Sequence, residues 1–272
     1  MSMNDSLKDP LRTMAFDHFW QRIRAELFLH PVIVGNKYTK WFMSGDMSLA
    51  QLRAFIVQFS VFSNLFLIAQ LKKMISADSL ENMRLSREIL ANEIGVANKY
   101  TIAGEPTVEG GRFSHGLAHF EWLLLLANEV GLSFAEVGKR HHGTRATLKF
   151  CSALEELYGN KDYAVAQAAS FAVENWANAG FWKELITGLR GYNEKHGTKF
   201  KDNFFVFHDK LEGYHALHTQ EELSKVYFSA TIDEDRFIRV GLQMLNAVGC
   251  FWGGLERERL LLAQKEKEGL IL

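Results

Sequence analysis

Cysteine is nearly missing from this sequence: Cys151 and Cys250 stand alone in a chain of 272 residues. That excludes the close thiol spacing of zinc ribbons and redox dithiols, and it excludes a disulfide framework. Proline is scarce too, with Pro10, Pro31 and Pro106 only, so long stretches run free of helix breakers. Neither sign of charge dominates. Thirty-one Lys and Arg face 32 Asp and Glu, a net charge of -1 with His neutral, which leaves no overall field to recruit nucleic acid or an anionic membrane. Long apolar runs are also wanting: the richest, Phe55 to Leu71, is interrupted by Gln58, Ser60, Ser63, Asn64 and Gln70, short of the roughly 20 apolar residues of a membrane span. It reads as a buried helix. Met1 to Pro10 is polar, without the apolar core of a secretory signal, and a reducing cytoplasm is the expected compartment. The expected partner is a small molecule or another protein.

What is present is core material: 47% hydrophobic and 12% aromatic side chains with 23% charged, the profile of a globular protein. Apolar residues recur at three- and four-residue spacing and strand-like alternation is absent, which predicts an all-α fold. The helical candidates are Phe16 to Leu29, Ser48 to Ile75, Ser79 to Ile94, His115 to Val130, Arg145 to Tyr158, Tyr163 to Leu189, Asn203 to Leu217 and Asp233 to Lys265. Ser48, Ser79, Thr231 and Asp233 stand where N-caps belong. Gly95 to Ser114 and Gly188 to Asp202 read as loops. No charge run, repeat or linker divides the chain, so it is taken as a single domain with a polar N-terminal extension over about residues 1–12.

The segment Phe204 to His218 carries the densest chemistry. On a helix, His208, Glu212 and His215 lie at i, i+4 and i+7 and share one face, offering two imidazoles and a carboxylate to a metal such as iron. A His-x-x-x-Glu pair alone is an ordinary helix contact. Glu174 adds weight, because Ala166 to Gly180 is otherwise almost wholly small or apolar, and a carboxylate there must be paired, protonated or metal-bound. Glu93 closes one helical candidate and His119 opens another; His115, one turn earlier on the same face, rivals His119. Three carboxylates and three imidazoles suit two metals in a helical bundle, where carboxylates bridge and histidines cap. Zinc alone seldom needs so many oxygen donors.

The order Glu93, His119, Glu174, His208-x-x-x-Glu212-x-x-His215 resembles the haem-oxygenase-like di-iron oxidases. Asn92-Glu93-Ile94-Gly95, His119 before Val130-Gly131, and Phe204-Phe205 before His208 match that family's pattern, which favours His119 over His115. The early segment His30-Pro31 through Gly45-Asp46-Met47-Ser48-Leu49, then Gln58, is similar to the first helices shared with the metal-free thiaminase-II-like and pyrroloquinoline-quinone synthase-like proteins. Glu212 stands where the family often has Asp, which keeps the donor type. The resemblance implies a haem-oxygenase-like helical bundle binding two Fe(II) per chain through Glu93, His119, Glu174, His208, Glu212 and His215. It also implies an oxidase or oxygenase using O2, through a peroxo-type intermediate, on a small organic substrate: a fatty acid, an amino acid or an amine. A homodimer is implied as well, and the electron donor is not identified. The alternative is a metal-independent enzyme of the same fold binding an organic ligand.

Around this set, Phe55, Phe59, Phe62, Phe66, Phe120, Trp122, Phe171, Trp176, Phe181 and Trp182 are candidates for an apolar pocket, against the plainer reading of core packing. Tyr158, Tyr163 and Tyr214 are candidate radical or hydrogen-bond partners. His218 reads as outer or surface, and His141-His142 as a solvated pair with no partner in sequence.

Overall fold

The computed structural model describes residues 10–96, 116–229 and 231–270, with the side chains of Leu211, Glu212, Tyr214 and His215 outside that description. All its regular elements are helical, as the spacing predicts. The order is α1 Pro10–Ile23, α2 Pro31–Val34, α3 Lys37–Phe42, α4 Leu49–Ile75, α5 Leu80–Glu93, α6 His119–Glu129, α7 Arg145–Ala153, α8 Tyr163–Ala177, α9 Phe181–His196, α10 Asn203–Ser229 and α11 Glu234–Lys267. Wider π-helical turns extend α1 over Arg24–Phe28 and α7 over Leu154–Tyr158, and short 3-10 turns cover Phe134–Glu136 and Arg140–His142.

Helix starts follow from local hydrogen bonding. Ser48 Oγ accepts from the Gln51 amide at 3.2 Å while Gln51 Oε1 accepts from the Ser48 amide at 2.9 Å, a reciprocal capping box. Ser79 caps α5 through the Asn82 amide at 3.1 Å, and Asp233 caps α11 through the Arg236 amide at 2.9 Å; Thr231 does not serve as the cap.

Several expected boundaries are corrected. Pro10 opens α1 rather than lying in an extension, since its fixed φ suits a first helical position, so residues 10–12 are helical. The expected helix Tyr163 to Leu189 is two helices, parted at Asn178–Gly180, where Gly180 takes φ +86°. The expected loop from Gly188 is helical through His196, and the turn comes at Gly197 with φ +65°. Asn203 to Leu217 continues to Ser229. Most of the Gly95 to Ser114 loop lies outside the described residues.

α4 is the only helix among the described residues long and apolar enough to cross a membrane, and 56% of its apolar window is buried inside the molecule. It packs against α5, α6, α7 and α11, while α11 also lies along α8. Phe59, Phe62, Phe150, Trp176, Phe251 and Trp252 interlock where these helices meet, largely edge to face or tilted. Edge-to-face and offset geometry is what aromatic quadrupoles favour.

Candidate metal centre

The site is assembled from the C-terminus of α5, the N-terminus of α6, the last turn of α8 and the second turn of α10. Glu93 is the last residue of α5. Two residues on, Gly95 takes φ +74°, and a Cβ there would meet Gly116 O at 2.6 Å and the Ala118 amide nitrogen at 2.9 Å. Only glycine permits that approach, and through it the Gly116 amide donates to Gly95 O at 2.8 Å. The end of α5 is thus stitched to the start of α6. Glu121 Oε2 caps the Ala118 amide at 2.7 Å, and His119, first in α6, is delivered beside Glu93.

His119 is buried, with Nδ1 2.8 Å from Glu93 Oε2 and Nε2 3.1 Å from Asn92 Oδ1. When Nε2–H donates to the Asn92 carbonyl, Nδ1 of the neutral ring carries a lone pair. At 2.8 Å Nδ1 and Glu93 Oε2 form an ion pair when the ring is protonated; with the ring neutral and Nε2–H on Asn92, Nδ1 turns its lone pair toward the carboxylate without an aligned hydrogen bond. Such a pair accommodates a cation between its two atoms, a proton or a metal ion, and in that sense the residues fit a metal.

Glu174 is 3% exposed within α8, whose other residues are all buried except Ala164. Its charge is met by Tyr158, whose phenol donates to Glu174 Oε1 at 2.9 Å. Burial, Glu174 and Glu93 all push the Tyr158 phenol well above its ordinary pKa, so it remains a neutral donor. Gln70 Oε1 lies 3.0 Å from the same phenol oxygen. One O–H cannot serve both acceptors; turned about its last torsion, the Gln70 amide instead donates Nε2–H, otherwise a buried donor without a partner.

His208 on α10 donates Nδ1–H to Phe204 O at 2.7 Å, which fixes the tautomer and makes Nε2 the nitrogen with a ligating lone pair. Its ring stacks on Trp182 with centroids 4.7 Å apart and meets the His119 ring edge to face at 4.7 Å. Glu93, Glu174 and His208 line one cavity of about 40 Å³, walled by Phe59, Phe62, Phe66, Trp176, Trp182 and Phe204. Such a space holds a few water-sized species.

The structure therefore brings together four expected site residues: Glu93, His119, Glu174 and His208. α10 runs through positions 212 and 215, but the side chains of Glu212 and His215 lie outside the described residues, as do Tyr214's side chain and the whole of His115. Among the described residues no three His, Cys, Asp or Glu side chains form a group that could hold a metal. Of the candidate pocket aromatics, Phe59, Phe62, Phe66, Trp176 and Trp182 line the cavity, while Phe55, Phe171 and Phe181 belong to the core. Tyr158 is the expected hydrogen-bond partner; Tyr163 pairs instead with Glu222 at 2.7 Å. His218 is exposed. His142 is not partnerless: its Nε2 reaches Ala135 O at 2.9 Å and its carbonyl accepts from Gln58 Nε2 at 2.9 Å. Sequence reasoning missed Gln70, Lys73, Ser170 and Glu222; the available signal was a Gln and a Lys three residues apart in the most apolar helix.

No family model and no curated protein matches the chain. Solved structures do. A CADD-like protein of unknown function from Nostoc punctiforme superposes with a TM-score of 0.62 at 16% identity, over 91% of this chain and 96% of that one. A domain of unknown function with a heme oxygenase-like fold from Shewanella denitrificans gives 0.61 at 14%, over 92% and 94%. A TenA homologue from Pseudomonas syringae gives 0.64 at 9%, over 88% and 93%. At such identities what is shared is the backbone, and that backbone, together with the all-helical order of elements, is the haem-oxygenase-like fold.

Proposed function

We propose that this protein is a non-haem di-iron oxidoreductase that uses O2 on a small organic substrate. The observation that carries the reading is the His119 Nδ1 to Glu93 Oε2 approach at 2.8 Å without an aligned hydrogen bond, beside a cavity lined by Glu174 and His208. Glu93, His119, Glu174 and His208 would hold the metals, with Glu212 and His215 supplied from the same helix as His208. Two ferrous ions would supply the electrons and the binding site for activating O2. Three carboxylates offset most of the charge of two such ions. Asn92 and Phe204 orient the two described imidazoles, and Tyr158 orients Glu174. The phenylalanines and tryptophans keep bulk water from the cavity, which strengthens every electrostatic interaction inside it.

The metal-free alternative needs the polar residues to bind an organic ligand, and a thiol nucleophile would favour it. Burial pushes the Cys151 thiol up to about 12, and Cys151 does not line the cavity. The deciding experiment is an anaerobic Fe(II) titration of metal-free protein. Two irons per chain are expected, with binding lost in Glu174→Gln and His208→Ala while circular dichroism stays native. No iron bound by the wild type sinks the reading and turns attention to an organic ligand. Iron-dependent O2 uptake would then be screened with fatty acids, amino acids and amines.

A further inference from the structure

A groove bounded by the starts of α5, α8 and α11 and the end of α10 has no part in the account above. It consists of two cavities of about 260 and 240 Å³ that adjoin, since Asp78 and Val226 stand in the walls of both. Each has room for several atoms of an organic molecule, against the roughly 30 Å³ that one water takes in the liquid. Neither shares a lining residue with the cavity of Glu93, Glu174 and His208.

The walls carry more anionic oxygen than the protein itself satisfies. Glu222 on α10, 6% exposed, lines the smaller cavity. Its Oε1 accepts the Tyr163 hydroxyl at 2.7 Å, whereas Oε2 has only the Lys73 ammonium, 3.5 Å away and too far for a good hydrogen bond. Lys73, 1% exposed in the last turn of α4, makes its short contact with Ser170 Oγ instead, at 2.9 Å. Asp78 Oδ1 accepts from Asn82 Nδ2 at 2.7 Å, and Asp233 Oδ1, in the larger cavity, caps α11. The Oδ2 atom of each aspartate takes no hydrogen bond among the described residues. The two cations of the walls are already committed, Lys225 to Glu81 at 3.2 Å and Arg236 to Asp162 at 2.6 Å.

Gln167 is the independent pointer to a ligand. It lies on α8 in the wall of the larger cavity, only 4% exposed, and its carboxamide makes no hydrogen bond among the described residues. A buried amide is normally paired. Its Nε2 is fully enclosed and Oε1 is the open end. The open groups of the groove, Glu222 Oε2, Asp78 Oδ2, Asp233 Oδ2 and Gln167 Oε1, are therefore all acceptors, three of them on carboxylates, and they occur in both cavities. Val226, Ile232 and Phe237 give the larger cavity an apolar side.

We propose that this groove is a second binding site, separate from the metal cavity, for a small aliphatic diamine. One ammonium is held by Glu222 and Asp78, the other by Asp233 and Gln167, and the methylene chain lies along Val226, Ile232 and Phe237. An ammonium has three donors and no lone pair, so two of them joined by an apolar chain match this set, and a carboxylate or phosphate ligand does not.

The test uses metal-free protein and the diamines from 1,3-diaminopropane to 1,6-diaminohexane. Calorimetric titration gives the affinity, and NMR follows the Gln167 side-chain amide, assigned by its loss in Gln167→Leu. At least one diamine is expected to bind saturably with a Kd of about 1 mM or tighter, within reach of a ligand of six to eight or so heavy atoms, and to shift the Gln167 amide. The monoamine of the same length is expected to bind about tenfold more weakly, and the diol of the same length and Mg(II) to leave that amide unmoved. Glu222→Gln would strand Lys73 as a buried charge, so one residue at each end is changed in its place: Asp78→Asn, which is exposed, and Gln167→Leu, which breaks no hydrogen bond. Each is expected to weaken diamine binding about fivefold or more while circular dichroism stays native. Glu174→Gln is expected to bind the diamine as the wild type does. Absence of saturable binding across the series overturns the proposal, as does unchanged affinity in either groove variant, an equal response to Mg(II), or loss of binding in Glu174→Gln, which would move the ligand to the metal cavity.

Discussion

Glu174 and Lys73 are both charged side chains inside apolar helices, yet only one was legible as such. Glu174 stands in an almost wholly small and apolar stretch of α8 with nothing in its sequence neighbourhood to solvate it, so burial follows from the pattern alone. Lys72 and Lys73 sit in the last turn of α4, where any cation is favoured by the helix dipole, and the sequence does not separate Lys72, which reaches Glu155 at the surface at 2.6 Å, from Lys73, which turns inward. The partner Glu222 lies beyond Leu217, where the expected helix ended. Removing the hydroxyl that serves Glu174 tests the residue scale directly. Tyr158→Phe takes away a hydrogen bond to a buried carboxylate and should destabilise the metal-free protein by about 2 kcal/mol in urea unfolding. A second carboxyl gives a prediction with a pH sign. Burial raises the pKa of Glu258, whose Oε2 is enclosed without a hydrogen-bond partner. A carboxyl with a raised folded pKa binds protons more readily in the folded state; its contribution is fully present below the ordinary carboxylate range and is lost as pH rises through the raised value. Glu258→Gln should therefore raise Tm near neutral pH and leave it unchanged at about pH 3; an equal gain at both pH values would refute the assignment.

Helices were legible where polar caps and apolar spacing agreed, as at Ser48, Ser79 and Asp233, and misread where a glycine decided the outcome. Periodicity continues through Asn178–Gly180, so Tyr163 to Leu189 reads as one helix, while the φ of +86° at Gly180 is invisible to a hydrophobic pattern. Gly188 reads in the sequence as the start of a loop, yet it is a helical residue whose missing side chain admits Phe42: a Cβ would meet the Phe42 carbonyl oxygen at 2.1 Å. It marks a close crossing of α9 over α3. These two glycines make separable predictions. Gly180→Ala meets nothing within 4 Å and should cost only its left-handed conformation, about 1 kcal/mol. Gly188→Ala has ordinary helical backbone but strikes main chain, and should cost about 3 kcal/mol or more. Chemical denaturation of the two variants checks the order; equal losses would mean that the α3–α9 contact yields easily. The π-helical turn Leu154–Tyr158 belongs to the same scale. It ends on the residue that reaches Glu174, and such turns in helices often accompany functional sites, but no capping or periodicity rule announces one.

At the scale of the molecule, a backbone shared with proteins 9 to 16% identical follows from what a fold requires of sequence: apolar positions at helical spacing, small residues at crossings and caps at the ends, with the identity of most core side chains left open. That is why the fold class was readable from pattern, whereas the site needed particular residue types in a particular order. The proposed centre draws on four helices well apart in sequence, so a metal held there ties α5, α6, α8 and α10 together in the folded state only. Mass action then couples occupancy to global stability. Under anaerobic conditions Tm of the wild type should climb steadily with free Fe(II), by the equivalent of about 2.7 kcal/mol when the ion is present at 100 times its Kd. His208→Ala, with one proposed ligand gone, should start near the wild-type metal-free value and climb far less. Adding a chelator to the loaded wild type should return it to the metal-free Tm. A wild-type Tm that ignores Fe(II), or a His208→Ala protein that follows it as closely as the wild type, would mean that these four helices are joined by packing alone and that the metal, if bound, sits elsewhere.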